Sequence, residues 1–547
     1  MPTSGSRNKG DMGSQGSLRI KIKKGDGTFL DLAAQAGANL LDVLRTNNFA
    51  VPADCAGQGV CGKCLVRAAG ELARACQVQA VPGLDVELLA PEAEFAIRTE
   101  YRARGDGYAQ ADKSTGYALS PLSAQNPPAR SSLSPPSSFC LAADIGTTTV
   151  VVQLAGIPGR AGTQNLTPRI LGTRSFMNGQ RIFGADVLSR IRHAQGGGLG
   201  QMSAIIRASL AEAAISLCAE ANLPLRDLSM FSVAGNTAMI HILLGADCSP
   251  LGSHPYTTSL LLKDSYTFAE IFGPEYGEGP PLRILPWISA YVGGDITAGY
   301  LACRSSPAET ALLLDLGTNG ETLLWSGDKT WCCSAPSGPA FEGCGLTCGV
   351  GGIAGAISRV DLLEGNFICR TIKGAAPAGI CGSGVLDLLA CLRRGAYMDA
   401  GGRLEKSFFD KGLRLARSAD GGDIIFTQGD VREVQLAKSA VRAGLEILLQ
   451  ESGLSAQKIE TLYLAGGFGQ ELRLESAAAI GLLPPDLIPK AIPVGNSSLG
   501  GAIRVCSDPG LLREAAALRE KTREILPASH PDFQNLFIRH LGFGGEG

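Results

Sequence analysis

One short design occurs twice in this chain and limits its fold more than any other feature. Phe139-Cys140-Leu141-Ala142-Ala143 is an unbroken apolar run leading to Asp144-Ile145-Gly146-Thr147-Thr148-Thr149, after which Val150-Val151-Val152 resumes it. Ala311-Leu312-Leu313-Leu314 leads in the same way to Asp315-Leu316-Gly317-Thr318-Asn319-Gly320, followed by Thr322-Leu323-Leu324-Trp325. Short runs that are apolar throughout and bounded by turn residues read as buried strands. The spacing of 171 residues (315 − 144) between two such units predicts duplicated α/β halves facing one cleft. Glycine lets each turn close, backbone N–H groups and threonine hydroxyls can cradle phosphate oxygens, and Asp144 and Asp315 can hold Mg²⁺ through waters. One such turn is weak evidence for a phosphate site; two in order are strong.

A third segment completes the set. Ile459 to Gln470 reads as a buried strand ending in Ala465-Gly466-Gly467-Phe468-Gly469, whose glycines let backbone lie flat against a base and ribose. Before it, residues 431–453 predict an amphipathic helix. Leu436, Ala440, Val441, Leu445 and Leu448 form its apolar face, Lys438, Arg442 and Glu446 the polar one, and Gly453 its stop. It is expected to pack between the two halves. Glu321 and Asp295 stand beside glycine-rich segments, where they can hydrogen-bond the loops or take a part in chemistry. His241, in an apolar run, reads as a satisfied core histidine, and Cys344 and Cys348 as buried thiols.

Near the N-terminus stand Cys55, Cys61, Cys64 and Cys76, spaced C-x5-C-x2-C-x11-C. Four thiolates at this spacing suit iron and sulfide; zinc is the rival, but zinc sites usually pair two C-x2-C knuckles and only one is present. The array resembles that of plant-type 2Fe–2S ferredoxins, with one extra residue in the first gap. The flanks agree: Leu18, Ile20 and Ile22 alternate before a Gly25-Asp26-Gly27 turn and a second strand through Phe29 and Leu32. Leu40, Leu41, Val43 and Leu44 mark a short helix ended at Asn47-Asn48, and residues 65–72 a strand and turn returning to Cys76. This is the order of a β-grasp ferredoxin, and one-electron transfer is the role it implies.

Residues 1–17 contain nothing to bury and read as a disordered tail, neither signal peptide nor anchor. Residues 102–138, rich in Pro, Ser, Ala and Gly, read as a flexible linker, either a tether for an electron carrier or a passive spacer. A net charge of −2 over 547 residues gives no basic field, so nucleic acid is not an expected partner. No eighteen-residue uncharged apolar run suggests a membrane span. Sixteen cysteines without a secretory signal point to a reducing, cytoplasmic setting.

The motifs DIGTTT, DLGTNGE and LAGGFG resemble the two phosphate motifs and the adenosine motif of the acetate/sugar kinase–Hsp70–actin superfamily. Within it, the chain resembles the reductive activators of corrinoid-dependent enzymes. Residues 175–191, 232–245, 290–299 and 337–349 carry further matches, and the likeness covers most of residues 18 to 505. It implies an α/β protein with an N-terminal β-grasp ferredoxin domain (18–101) and a two-lobed actin/Hsp70-like, RNase H-like duplicated nucleotide-binding domain (139–547). It implies a 2Fe–2S cluster on Cys55, Cys61, Cys64 and Cys76. Catalytic roles would fall to Asp144, Asp315, Glu321 and Asp295, and ATP with Mg²⁺ would meet Gly146, Thr147, Thr148, Gly317, Thr318, Asn319, Gly466 and Gly467. The activity implied is ATP-dependent return of a corrinoid client from Co(II) to Co(I), using a low-potential electron donor in an anaerobic setting, with a homodimer left open. Two departures are noted: larger members place a folded middle domain where only the linker is expected here, and others carry a C-terminal cysteine cluster. Alternatives are an activator of another client, as in radical dehydratases, a kinase fused to a ferredoxin, or a redox-sensing nucleotide-binding module.

Overall fold

The computed structural model describes residues 17–23, 28–47, 49, 51, 64–88, 136–159, 168–184, 186–258, 260–343, 345–418, 421–466 and 472–544. Cys55, Cys61, Cys344, Gly467, the Gly25–Gly27 turn, the N-terminal tail and most of the linker lie outside them. The chain forms two compact units, one of residues 1–92 with 179–185, the other of residues 93–178 with 186–547.

In the first unit β1 (Ser17–Lys23) and β2 (Phe29–Gln35) form the expected hairpin, with Ile20 opposite Leu32 and both buried. The helix Leu40–Thr46 starts where the Asn39 side chain accepts from the Leu41 N–H at 3.0 Å, and it buries Leu40, Leu41, Val43 and Leu44. Strands β3 (Leu65–Ala68) and β4 (Glu71–Arg74) make a second hairpin. The strand that joins the two hairpins is β5 (Asp85–Leu88), parallel to β1 and antiparallel to β3, so the order is β2-β1-β5-β3-β4. β5 was not foreseen: its four residues are too few to show a period.

The second unit contains the duplication. β6 (Pro136–Ile145), β7 (Thr149–Pro158) and β8 (Arg169–Met177) run as an antiparallel meander, and β9 (Met230–Gly235) and β10 (Leu282–Ile284) add parallel strands on the other side of β6. β6 begins at Pro136, inside the segment read as linker. β11 (Thr310–Leu316), β12 (Gly320–Ser326) and β13 (Lys329–Ala335) repeat the meander. Two small sheets follow: β14 (Ala356–Leu363) with β15 (Asn366–Thr371) and β16 (Gly379–Ile380), and β17 (Leu413–Arg417) with β18 (Asp423–Phe426). The chain then returns to the main sheet as β19 (Thr461–Ala465) and β20 (Ala491–Gly495), parallel to β11, and β21 (Thr522–Ile525) pairs with β13. The two main sheets thus share one order, β8-β7-β6-β9-β10 and β13-β12-β11-β19-β20. Leu312, Leu313 and Leu314 are all fully buried, as a strand covered on both faces requires. Each such side chain contributes roughly 2 kcal/mol of burial.

The helices Gly294–Cys303 and Ser497–Ser507 follow the fifth strand of each main sheet and cross one another. A Cβ built on Gly501 would stand 1.9 Å from the Ala298 carbonyl oxygen, so this crossing needs glycine. The helix Gln428–Ser452 ends at Gly453 (φ 69°) as read, but two expectations for it fail. It packs on β12 and β13 within the second half, where Val441 covers Gly320, not between the halves. Its polar face is also buried: Lys438 is 1 % exposed and donates to the carbonyls of His540 and Gly542, so the chain's last residues supply the acceptors that solvent would. Among the described helices, Val187–Glu220 is long and apolar enough to cross a membrane, yet it packs on the first main sheet, with Leu217 against Gly172 of β8.

Candidate functional site

Both D-φ-G-T turns open into one cleft in the second unit. Its lining takes Asp144, Gly146, Thr147 and Asp295 from the first half, and Asp315, Gly317, Thr318, Asn319, Glu321 and Gly466 from the second. The structure therefore brings together the four carboxylates and most of the phosphate-turn residues that the sequence singled out. Gly467 lies outside the described residues.

Topology explains the convergence. Asp144 and Asp315 occupy equivalent places at the ends of the central strands, where parallel strands leave a crevice beyond their carboxyl ends. Each turn is closed by a backbone bond, Gly146 N–H to the Thr149 carbonyl at 2.9 Å and Gly317 N–H to that of Asn319 at 3.0 Å. Asn178 donates to the Gly146 carbonyl at 2.9 Å, and the fully buried Arg190 donates to the Thr147 carbonyl. Glu321 sits across the hairpin from Asp315 and accepts from Asn236 at 3.5 Å.

Several cleft residues were not assigned a role from sequence. Asn496 and Ser498, at the start of the helix Ser497–Ser507, donate to the two carboxylate oxygens of Asp144 at 2.8 and 2.7 Å. The first half's key aspartate is thus held by the second half. Glu342 accepts from Thr148 at 2.6 Å and from Thr318 at 3.1 Å, one hydroxyl from each turn. A short polar N-x-S after an apolar strand is an N-cap signal and could have flagged Asn496; nothing local marks Glu342.

Burial raises all four cleft carboxylates, and repulsion among them adds to it at Asp295, Asp315 and Glu321. Desolvation and then the Asp144 charge push Asp295 up to about 7. Desolvation, with Asp295, Asp144 and Glu342 behind it, pushes Asp315 up to about 8. Glu321 is raised well above the usual carboxylate range by desolvation and then by Asp295 and Asp315. Burial also raises Asp144, against the hydrogen bonds from Ser498 and Asn496. Among the described residues no set of three or more His, Cys, Asp or Glu is arranged as a metal cage. The carboxylates suit a Mg²⁺ that keeps its waters and is completed by substrate phosphates. His241 is 2 % exposed, with its ring nitrogens 2.8 Å from the Thr237 carbonyl and 2.7 Å from the Thr258 hydroxyl. It is a satisfied core residue.

In the first unit Cys64 and Cys76 are buried, uncrosslinked, and hold their sulfurs 3.2 Å apart. Asn39 fixes the second through its backbone carbonyl at 2.8 Å. Two thiolates on one tetrahedral ion at about 2.3 Å each stand about 3.7 Å apart, so the pair fits a shared metal with a shift of tenths of an ångström. Cys55 and Cys61 lie outside the described residues.

Both units resemble known proteins. Residues 26–82 match a model of the 2Fe-2S iron-sulfur cluster binding domain, residues 139–306 the RACo middle region, and residues 309–546 the C-terminal domain of RACo, the ASKHA domain. The region matched as RACo middle is the half that carries Asp144, and it begins where the expected linker ends. The corrinoid activation enzyme RamQ of Eubacterium limosum is 31% identical over 428 residues, covering 74% of this chain and 70% of that protein. A reductase of the Co(II) methylated amine-specific corrinoid protein from Methanosarcina barkeri is 28% identical over 304 residues, 51% of this chain and 54% of that one. The solved structure of a reductive activator for corrinoid, iron-sulfur protein superposes with a TM-score of 0.65 at 27% identity, covering 96% of this chain and 98% of that one. The chain belongs to the RACo family of corrinoid activators, with a 2Fe–2S cluster-binding domain ahead of an ASKHA domain.

Proposed function

We propose that this enzyme is an ATP-dependent reductive activator that returns the cobalt of a corrinoid protein from Co(II) to Co(I). The observation that carries the reading is the meeting of two duplicated phosphate turns in one cleft, in a chain that also carries the thiolate site. Bound at Cys55, Cys61, Cys64 and Cys76, a 2Fe–2S cluster would supply one-electron transfer. Plant-type clusters sit near about −400 mV, and each further 60 mV of uphill transfer costs roughly a factor of ten in the equilibrium. ATP has to cover that deficit by favouring one state of the protein over another.

The cleft residues divide the work. Thr147, Thr148, Thr318, Asn319 and the turn amides would bind phosphate oxygens, Asp144 and Asp315 would hold Mg²⁺ through waters, and Gly466, with Gly467 by its place in sequence, would flank the adenosine. Glu321 or Asp295 orients the water that attacks the terminal phosphate. Binding across both turns draws the two halves together around their helix crossing. The donor is a low-potential one-electron carrier. None of the thirteen described cysteines is in a disulfide, which suits a reducing cytoplasm.

The decisive experiment poises a purified corrinoid protein as Co(II) under anaerobic conditions with reductant and this protein, and follows absorbance with and without Mg·ATP. The Co(I) band grows only with ATP; in Asp144→Asn and Asp315→Asn proteins it grows at least about a hundredfold more slowly while the visible absorbance of the cluster is unchanged. ATP-independent growth in the wild type, or undiminished rates in both variants, would sink the coupling.

A further inference from the structure

Among the described residues, Glu342 is hydrogen-bonded to both phosphate turns at once, through the single oxygen Oε2. A threonine hydroxyl carries one proton, so while Thr148 and Thr318 donate to Glu342 they cannot donate to phosphate. An incoming polyphosphate must take both protons from a carboxylate of its own charge at close range.

Glu342 also stands where movement can be passed on. It ends the short turn Pro339–Glu342, flanked by Gly338 (φ 69°) and Gly343 (φ 76°). Open space surrounds Gly338, whereas Gly343 is packed against the Val350 carbonyl. The Phe341 carbonyl abuts Gly382, the first residue of the helix Gly382–Arg394. A little further on, the Thr347 N–H donates at 2.6 Å to Asp430, which closes the capping box of the helix Gln428–Ser452.

We propose that Glu342 is a latch displaced by phosphate. It ties the two halves together through Thr148 and Thr318 when no nucleotide is bound, and surrenders both hydroxyls to the polyphosphate of a nucleoside triphosphate. The turn that carries it then shifts against the starts of the two helices. The latch rests on the reading of this cleft as an ATP site. It assigns Glu342 a positioning role, not a catalytic one: Glu342 sets the cost of nucleotide entry and reports that entry to the rest of the domain.

The test uses the full chain, as wild type, Glu342→Ala and Glu342→Gln, with calorimetric titration of Mg·AMP-PNP and of AMP. Glu342→Ala is expected to bind Mg·AMP-PNP about tenfold tighter, because the displaced hydrogen bonds no longer compete. Glu342→Gln, which keeps the acceptor oxygen and loses the charge, should fall between it and the wild type and stands in if the alanine variant folds poorly. AMP, which lacks the outer phosphates, should bind all three alike. In the wild type, hydrogen exchange of Pro339–Glu342 should rise when Mg·AMP-PNP is added, and in Glu342→Ala it should be raised already. Unchanged or weaker AMP-PNP binding in both variants would overturn the latch while leaving the nucleotide site standing. A wild type that binds no nucleotide would overturn the ATP reading and the latch with it.

Discussion

Asp144, Asp295, Asp315 and Glu321 raise one another's proton affinity inside a single cleft, and this fixes how the protein should respond to pH. Their folded-state values lie above the ordinary carboxylate range, so between about pH 4 and pH 8 the nucleotide-free fold binds more protons than the unfolded chain. The stability these four groups contribute is therefore greatest at the acid end of that window and is lost as pH rises through the 7 to 8 of Asp295 and Asp315. With Mg·ATP bound as proposed the trend should reverse, because a cation among these groups favours their charged forms. Calorimetry at pH 7 in buffers of different ionisation enthalpy should show net proton release on Mg·AMP-PNP binding, and affinity should rise from pH 6 to pH 8. Proton uptake would contradict the assignment. Asp144 and Asp315 were legible in the sequence because each lies inside a motif whose chemistry is local. Glu342, Asn496 and Ser498 were not, because their partners are 194, 352 and 354 residues away and only the fold joins them.

At the scale of elements, the duplicated meanders were readable because strands such as Ala311–Leu314 are buried on both faces and bounded by turn residues. β5, and the burial of Lys438 on the helix Gln428–Ser452, were not: a four-residue strand has no period, and a lysine's acceptors can come from a terminus 102 residues away. The crossing of Gly294–Cys303 with Ser497–Ser507 is the element-level feature with the sharpest consequence. Any side chain at residue 501 must push the Ala298 backbone away, since its Cβ would fall 1.9 Å from that carbonyl. Gly501→Ala is expected to cost about 2 to 3 kcal/mol in urea unfolding, in the range of overpacking substitutions. It should also weaken Mg·AMP-PNP binding, because the halves can no longer approach equally. A variant as stable as the wild type would mean that the crossing yields without cost.

The whole molecule is two compact units with separate cores, one around Ile20, Leu41 and Val86 and the other built on the two main sheets. Two units should give two calorimetric transitions. Mg·AMP-PNP at a hundred times its Kd stabilises the unit that binds it by about 2.7 kcal/mol, so it should raise the larger transition and leave the smaller in place. A single transition that moves as one would show the units to be thermodynamically inseparable. Within the larger unit the separation stops. The carboxylate of Asp144 is gripped by Asn496 and Ser498, which belong to the other copy of the duplicated fold. Each copy of the duplicated fold thus depends on the other to hold this carboxylate in place. Drift at any one of these three positions calls for compensation at the others, and in a lineage of such proteins they should change together or not at all.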